Sequence, residues 1–171
     1  TKWRKKYGVI LSNKQNLMTC SGDITIVFTS KQYQPNAEEF NESFIFVGPS
    51  IAPRQDIEAT PLEHTSGNKL IFISMGTVFN QQPELYAKCF EAFGESQYTV
   101  ILAVGRQVDI HQFNNIPSNF IVRNYVPQLE ILQQADIFIT HGGMNSSSEA
   151  LYFGVPLVVI PVMGDQPIVA K

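Results

Sequence analysis

Short, continuous apolar runs recur along the second two thirds of the chain, separated by polar stretches that contain glycine or proline. Continuous runs of this kind are typical of strands that are covered on both faces. They predict five strands, at residues 70–73, 98–104, 120–122, 137–139 and 157–160. Helical patterns lie between the runs, from Pro83 to Gly94, over 129–134 and over 149–153. Alternating strands and helices predict βαβ units and an α/β fold with a parallel sheet.

The first third of the chain has a weaker pattern. Two runs, 24–29 and 44–47, predict strands because β-branched and aromatic residues dominate them. Residues 1–22 show little periodicity and are interpreted as a helix end and loop, and residues 31–41 as a loop. Residues 49–68 hold several prolines among polar residues, a composition typical of a linker.

Composition and charge narrow the possible classes of protein. The 171 residues are 44% hydrophobic and 16% charged, which is ordinary for one globular domain. A net charge of −3 argues against nucleic-acid binding through a basic surface. No apolar stretch reaches transmembrane length, so we expect no membrane span and a cytoplasmic location. Cys20 and Cys89 lack metal-binding spacing, and Cys89 is expected to be buried.

The segment 140–149, Thr-His-Gly-Gly-Met-Asn-Ser-Ser-Ser-Glu, is the most informative one. A predicted strand ends here, two glycines turn the chain, and the N–H groups and dipole of a helix start favour anions. His141, Asn145 and Ser146 add hydrogen-bond donors. Glu149 lies one turn after Asn145, where a carboxylate suits a ribose diol. The segment therefore predicts a site for a phosphorylated sugar or nucleotide. The alternative is an ordinary capped turn in which His141 only caps or packs.

Residues 141–149, with Gly154-Val155-Pro156, Pro161 and Asp165-Gln166 after them, resemble the donor-binding signature of the family 1 UDP-dependent glycosyltransferases. Two upstream segments fit further motifs of that family in the same order, Ser74-Met75-Gly76-Thr77 and Tyr125-Val126-Pro127-Gln128. The pattern is most similar to bacterial macrolide and flavonoid glycosyltransferases. It extends from about Asp23 to the last residue.

The resemblance implies a GT-B fold, in which two Rossmann-like domains face each other across a cleft. The N-terminal domain of such enzymes holds the acceptor, and the C-terminal domain holds the donor. On this basis, residues 1–47 are the end of the acceptor domain, 48–68 the interdomain linker, and 69–171 a truncated donor domain. Nearly all of the N-terminal domain would be missing.

The resemblance also implies which residues hold the donor phosphates. His141 would donate a hydrogen bond to a phosphate, together with Asn145, Ser146 and the backbone near Gly143. The small residues that end the first strand of the predicted donor domain would lie near the phosphates too: Ser74, Gly76 and Thr77. Without the resemblance, that second segment could equally be an ordinary turn.

Other motif residues are assigned to the base, the ribose and the sugar. Tyr125 stands where the family often has Trp, so it would stack on the uracil, or else simply pack. The backbone of Val126 would bond the uracil edge, and Gln128 would reach the ribose region. Asp165 and Gln166 would hold hydroxyls of the donor sugar, the alternative being an exposed polar pair in a loop.

The implied reaction moves a hexose, with glucose expected, from UDP to a hydroxyl of a small apolar acceptor with inversion. It uses the UDP-sugar as co-substrate, with no cofactor and no metal. The family's catalytic base is a His near the start of the N-terminal domain, and no residue here matches it. His64 and His111 are interpreted as solvated surface residues.

Two other functions stay open. One is a non-catalytic UDP-sugar-binding module that needs a partner subunit for activity. The other is a UDP-sugar epimerase of similar fold, which the uninterrupted match from Tyr125 to Gln166 disfavours.

Overall fold

The computed structural model describes Lys6, residues 23–52 and residues 67–171. The chain divides into two compact units, Thr1–Ser50 and Ile51–Lys171. The interpretation of residues 1–5 and 7–22, the central part of the predicted linker at 53–66, and the predictions for Cys20 and His64 lie outside the described residues.

The first unit contains two short parallel strands, β1 (Thr25–Val27) and β2 (Phe44–Phe46). Both predicted strands of this region are confirmed, each shorter than the apolar run that predicted it. A 3-10 turn, Ala37–Glu39, lies in the segment predicted as a loop. Phe40 follows the turn and contacts the rings of Phe44 and Phe46 edge-on, with centroids 5.0 and 5.9 Å apart. These contacts hold the turn against the strand pair.

The second unit contains a parallel five-stranded sheet, as predicted. Its strands are β3 (Leu70–Ser74), β4 (Thr99–Ala103), β5 (Phe120–Arg123), β6 (Ile137–Thr140) and β7 (Leu157–Val159). Its helices are α1 (Pro83–Phe93), α2 (Gln128–Leu132), α3 (Met144–Tyr152) and α4 (Gln166–Val169). All five predicted strands and the three predicted helices are confirmed, and α3 begins directly after the two glycines. The short helix α4 was not predicted.

Helices cover both faces of this sheet, because side chains alternate between the faces along each strand. On one face, Ile71 and Ile73 pack with Tyr86 and the buried Cys89 of α1. On the other face, Phe72 and its neighbours pack with residues of α2 and α3. The central strands β3 and β4 are buried throughout, which explains their continuous apolar runs. None of the helices in the described segments has the length and apolar character needed to cross a bilayer.

The strands lie in the order β5-β4-β3-β6-β7 across the sheet. The chain moves outward from β3 through β4 to β5 on one side, and then crosses to β6 and β7 on the other side of β3, so the order reverses between β3 and β6 while all strands stay parallel. These two strands are neighbours, and their last residues, Ser74 and Thr140, are register partners. In open α/β sheets, ligands bind outside the carboxyl ends of the strands at such a reversal. The topology therefore places the segment after Thr140 and the segment after Ser74 side by side at a ligand-binding edge.

Candidate functional site

A cavity of about 780 Å³ lies beyond the carboxyl ends of the central strands of the second unit. Its walls come from the loops after β3, β4 and β5 and from the segment that joins β6 to α3. Pockets that enclose small ligands have volumes of roughly 300–1,000 Å³. All but two of the residues predicted for the site line this cavity: Ser74, Gly76, Thr77, Tyr125, Val126, Gln128, His141, Gly143, Asn145, Ser146 and Glu149.

The imidazole ring of His141 lies between two glycines. A Cβ atom at Gly76 would stand 2.6 Å from Cε1 of the ring, and one at Gly143 would stand 2.5 Å from Nε2. Gly76 also has a φ of +76°, a conformation that side chains disfavour. Nδ1 of the ring is 3.3 Å from the Thr140 hydroxyl, within hydrogen-bond distance. The two glycines therefore have a role that the motif analysis missed, because they make room for His141 at the cavity wall.

Burial lowers the pKa of the His141 imidazole below its ordinary value, and the nearby Asp165 carboxylate partly opposes this shift. The ring is therefore neutral at pH 7 and carries one N–H donor. An anion bound beside the ring would favour its charged form and raise this pKa. His141 can thus strengthen its interaction with an anion by taking up a proton.

A buried carboxylate, that of Glu149, forms another part of the wall. Only 4% of Glu149 is exposed, and its Oε2 accepts a 2.7 Å hydrogen bond from Nε2 of Gln128. The same amide nitrogen lies 3.3 Å from the Ser146 hydroxyl oxygen, to which it donates. Because Gln128 begins α2 and Glu149 belongs to α3, these bonds join the two helices at the cavity. A carboxylate has about four acceptor positions, so it can also accept a bond from a ligand hydroxyl.

The two predicted residues that do not line the cavity are Asp165 and Gln166. Gln166 is buried, and its Oε1 accepts hydrogen bonds from the backbone N–H groups of Val162 (2.7 Å) and Met163 (2.9 Å). This side chain therefore holds the loop before α4. Asp165 is exposed at the start of α4 and lies close enough to His141 to affect its pKa.

A buried asparagine that the sequence analysis missed, Asn80, holds the loop after β3. Its Nδ2 donates to the backbone oxygens of Gly76 (3.3 Å) and Thr77 (3.2 Å). The backbone oxygen of Asn80 accepts a 2.5 Å bond from the Tyr86 hydroxyl. Burial, and secondarily Cys89, raises the pKa of Tyr86 to about 12, so this hydroxyl keeps its proton. Asn80 thus ties the predicted phosphate loop to α1.

The loop after β4 was also missed, although Gly105, Arg106 and Gln107 line the cavity. Asn124 holds this loop, because its Nδ2 donates to the backbone oxygens of Gly105 (2.8 Å) and Val108 (2.6 Å). The position of these residues was available from the sequence, since they follow a predicted strand directly. Applying the strand-end rule to every strand would have identified them as candidates.

The cavity therefore offers two kinds of chemistry. The start of α3, with His141, presents donors suited to an anion. The buried Glu149 presents an acceptor suited to hydroxyl groups. Within the described segments, no group of three or more His, Cys, Asp or Glu side chains is placed to hold a metal ion.

Known proteins resemble this chain over most of its length. A family model described as "UDP-glucoronosyl and UDP-glucosyl transferase" matches residues 9–171. The chain is 50% identical over 155 residues to YojK of Bacillus subtilis (strain 168), an uncharacterized UDP-glucosyltransferase, covering 91% of this chain and 38% of YojK. It is also 50% identical over 149 residues to the NDP-glycosyltransferase YjiC of Bacillus licheniformis, covering 86% of this chain and 38% of YjiC.

Among solved structures, the glycotransferase of kitacinnamycin matches with a TM-score of 0.82 and 34% identity, over 99% of this chain and 44% of that one. The chain thus spans about two fifths of the length of the proteins that it matches.

Proposed function

The chain belongs to the UDP-glucoronosyl and UDP-glucosyl transferase family, and from this premise we propose that it is the donor-binding part of a UDP-sugar-dependent glycosyltransferase. In the proposed reaction, a hexose, namely glucose, moves from UDP to a hydroxyl of a small apolar acceptor with inversion. The proposed domain order is the end of an acceptor domain over 1–47, a linker over 48–68 and a donor domain over 69–171.

The observation that carries the proposal is the pairing of an anion-binding helix start with a buried carboxylate in one cavity. The diphosphate would lie against His141, the backbone at Gly143 and the side chain of Asn145, where the dipole of α3 favours negative charge. Because Nδ1 of His141 faces Thr140, Nε2 is the ring nitrogen proposed to meet the phosphate. Charge that develops on the leaving UDP would be stabilised by the same groups.

The ribose would follow the diphosphate along α3. Glu149 would accept hydrogen bonds from the ribose hydroxyls, and Gln128 holds its carboxylate in place through the 2.7 Å bond. The base would then lie toward Tyr125 and Val126, which line the same cavity. Asp165 would meet the hexose beyond the phosphates, a placement supported by its electrostatic effect on the pKa of His141.

Calorimetry of the 171-residue chain with UDP tests the donor assignment. Glu149→Ala should weaken UDP binding by about 1–3 kcal/mol, because ribose hydroxyls would lose a charged partner. Glu130→Ala is the matched control, since Glu130 is exposed on α2 and does not line the cavity. Absence of UDP binding by the unmodified chain would overturn the proposed function, and equal affinities for both variants would overturn the ribose assignment.

We also propose that this chain alone binds the donor without transferring the sugar. The lining groups that could act as a base, His141 and Glu149, are both assigned to the donor. His111 is exposed in a 3-10 turn and does not line the cavity. A product assay by mass spectrometry, with UDP-glucose and a panel of flavonoid and macrolide acceptors, tests this. Multiple-turnover glucoside formation would contradict it.

A further inference from the structure

The loop after β4 presents a positive charge to the cavity from a fixed backbone. The side chain of Asn80 occupies the space beside Gly105, where a Cβ atom would collide with it. Gly105 has a φ of +89°, and its backbone oxygen accepts the 2.8 Å bond from Asn124. Arg106 follows Gly105 directly, so the start of its backbone is held by Asn80 on one side and by Asn124 on the other.

The guanidinium group of Arg106 lies over the ring of Tyr125, with its carbon 5.2 Å from the ring centroid. Arg106 is exposed, Tyr125 is 39% exposed, and both line the cavity. A guanidinium is planar and stacks on aromatic faces, which gives a cation–π contact here. Arg106 and Tyr125 therefore form one composite wall, in which a flat cation and a flat ring lie together.

This wall stands at the opposite end of the cavity from the anion-binding helix start. Arg106 follows β4 and Tyr125 follows β5, whereas His141 follows β6. Strand β3 lies between β4 and β6, so at the usual strand spacing the loop of Arg106 begins about 10 Å from that of His141, and the loop of Tyr125, one strand further away, begins about 14 Å from it. A nucleoside diphosphate with its phosphates at His141 would thus extend its base toward Arg106 and Tyr125.

We propose, on the basis of the proposed function, that Arg106 is a nucleobase-binding residue that forms a stacking wall with Tyr125. The base stacks on this wall, so Tyr125 does not act alone. Stacking uses the π face that every base has, so Arg106 contributes affinity for the nucleotide without distinguishing one base from another. The phosphates are held elsewhere, by the start of α3.

Competition binding with UDP, UMP and pyrophosphate tests this inference. Arg106→Ala should weaken UDP and UMP by the same factor, about tenfold, and leave pyrophosphate unchanged. Arg106→Lys should restore little of the loss, because an ammonium group is not planar. Arg123→Ala is the matched control: Arg123 is also exposed, its side chain bonds the Val122 backbone oxygen, and it does not line the cavity.

Each outcome decides between defined alternatives. Equal losses for UDP, UMP and pyrophosphate would make Arg106 a phosphate ligand and overturn the inference. Unchanged binding of all three would mean that the contact between Arg106 and Tyr125 has no role in binding, and this result would also overturn the inference. Both results require an unmodified chain that binds UDP, and failure at that step counts against the proposed function instead. Thermal unfolding of each variant identifies any general loss of folding.

Discussion

The two ends of the cavity are built by different means. At the His141 end, most lining residues lie close together in sequence, between Thr140 and Glu149, and Gly143 and the more distant Gly76 make room for the imidazole ring. At the Arg106 end, the lining residues come from the separate loops after β4 and β5, which the side chain of Asn124 joins through its bonds to Gly105 and Val108. Substitutions should therefore weaken UDP binding through steric clash at the His141 end, and through loss of the hydrogen bonds that hold the loops at the Arg106 end.

The largest effect is expected from Gly76→Ala. The new Cβ would stand 2.6 Å from the His141 ring and displace it, so UDP binding should weaken at least tenfold, the value of one hydrogen bond to a charged group. Gly154→Ala is a control with matched backbone strain, because Gly154 has a φ of +70° against +76° at Gly76 and nothing within 4 Å of its Cβ position. Gly76→Ala should lose at least as much stability as Gly154→Ala, and UDP affinity should fall only in Gly76→Ala. A similar loss of UDP affinity in both would show that strain, rather than contact with His141, is responsible.

The second effect concerns the tethered end. Asn124→Ala removes two hydrogen bonds to the loop after β4, so stability should fall by about 1–3 kcal/mol. UDP affinity should also fall, by about fivefold, because Arg106 loses its fixed position. Asn119→Ala is the matched control: its Nδ2 donates to the backbone oxygens of Phe93, Ser96 and Tyr98, away from the cavity. It should destabilise the chain to a comparable extent with UDP affinity unchanged. If calorimetry shows the same UDP loss in both, the tether has no specific role.

The fold could be predicted from the sequence to a large extent because burial leaves a direct pattern. Strands β3 and β4 are covered on both faces, so each appears as a continuous apolar run. Helix α1 begins at a proline and ends directly before Gly94, and both residues are recognisable boundaries. Helix α4 was missed because it is only four residues long and carries a proline of its own, which leaves no periodicity to detect.

From the residues alone, the site could be predicted only where its residues follow one another, and the lining segments 74–77 and 125–128 were predicted from the family resemblance. The segment after β6 has a recognisable pattern of glycines and hydrogen-bonding residues. Asn80 and Asn124 instead bond backbone atoms of loops, and the sequence does not distinguish such an asparagine from any other asparagine in a loop. The same limit applies to Gln166, whose side-chain oxygen bonds the backbone of the preceding loop. Its predicted contact with the sugar stays a prediction, as does that of Asp165.

The third prediction distinguishes binding of the sugar from binding of the nucleotide. If Asp165 holds a hexose hydroxyl, Asp165→Ala should weaken UDP-glucose binding about three- to fivefold, a modest loss because the carboxylate is exposed. Plain UDP lacks the hexose, so its affinity should barely change. Comparative calorimetry with the two ligands measures the difference. An equal loss of affinity for both ligands would mean that Asp165 acts on phosphate binding through His141, and its role would then be at the His141 end of the cavity rather than at the sugar.

The smallest effect is a pH dependence of stability at the His141 end. Burial lowers the pKa of His141 in the folded chain below the ordinary 6.5, so the unfolded chain takes up a proton first as the pH falls. The stability linked to the neutral ring is therefore complete above pH 6.5 and is lost as the pH falls through the folded-state pKa. Thermal unfolding between pH 7.5 and 5 should show that the unmodified chain loses more stability than His141→Gln, which lacks this proton and keeps every other histidine. Asp165→Asn should steepen the loss, because the Asp165 carboxylate opposes the shift. Parallel curves for the unmodified chain and His141→Gln would show that the ring is not desolvated between its two glycines.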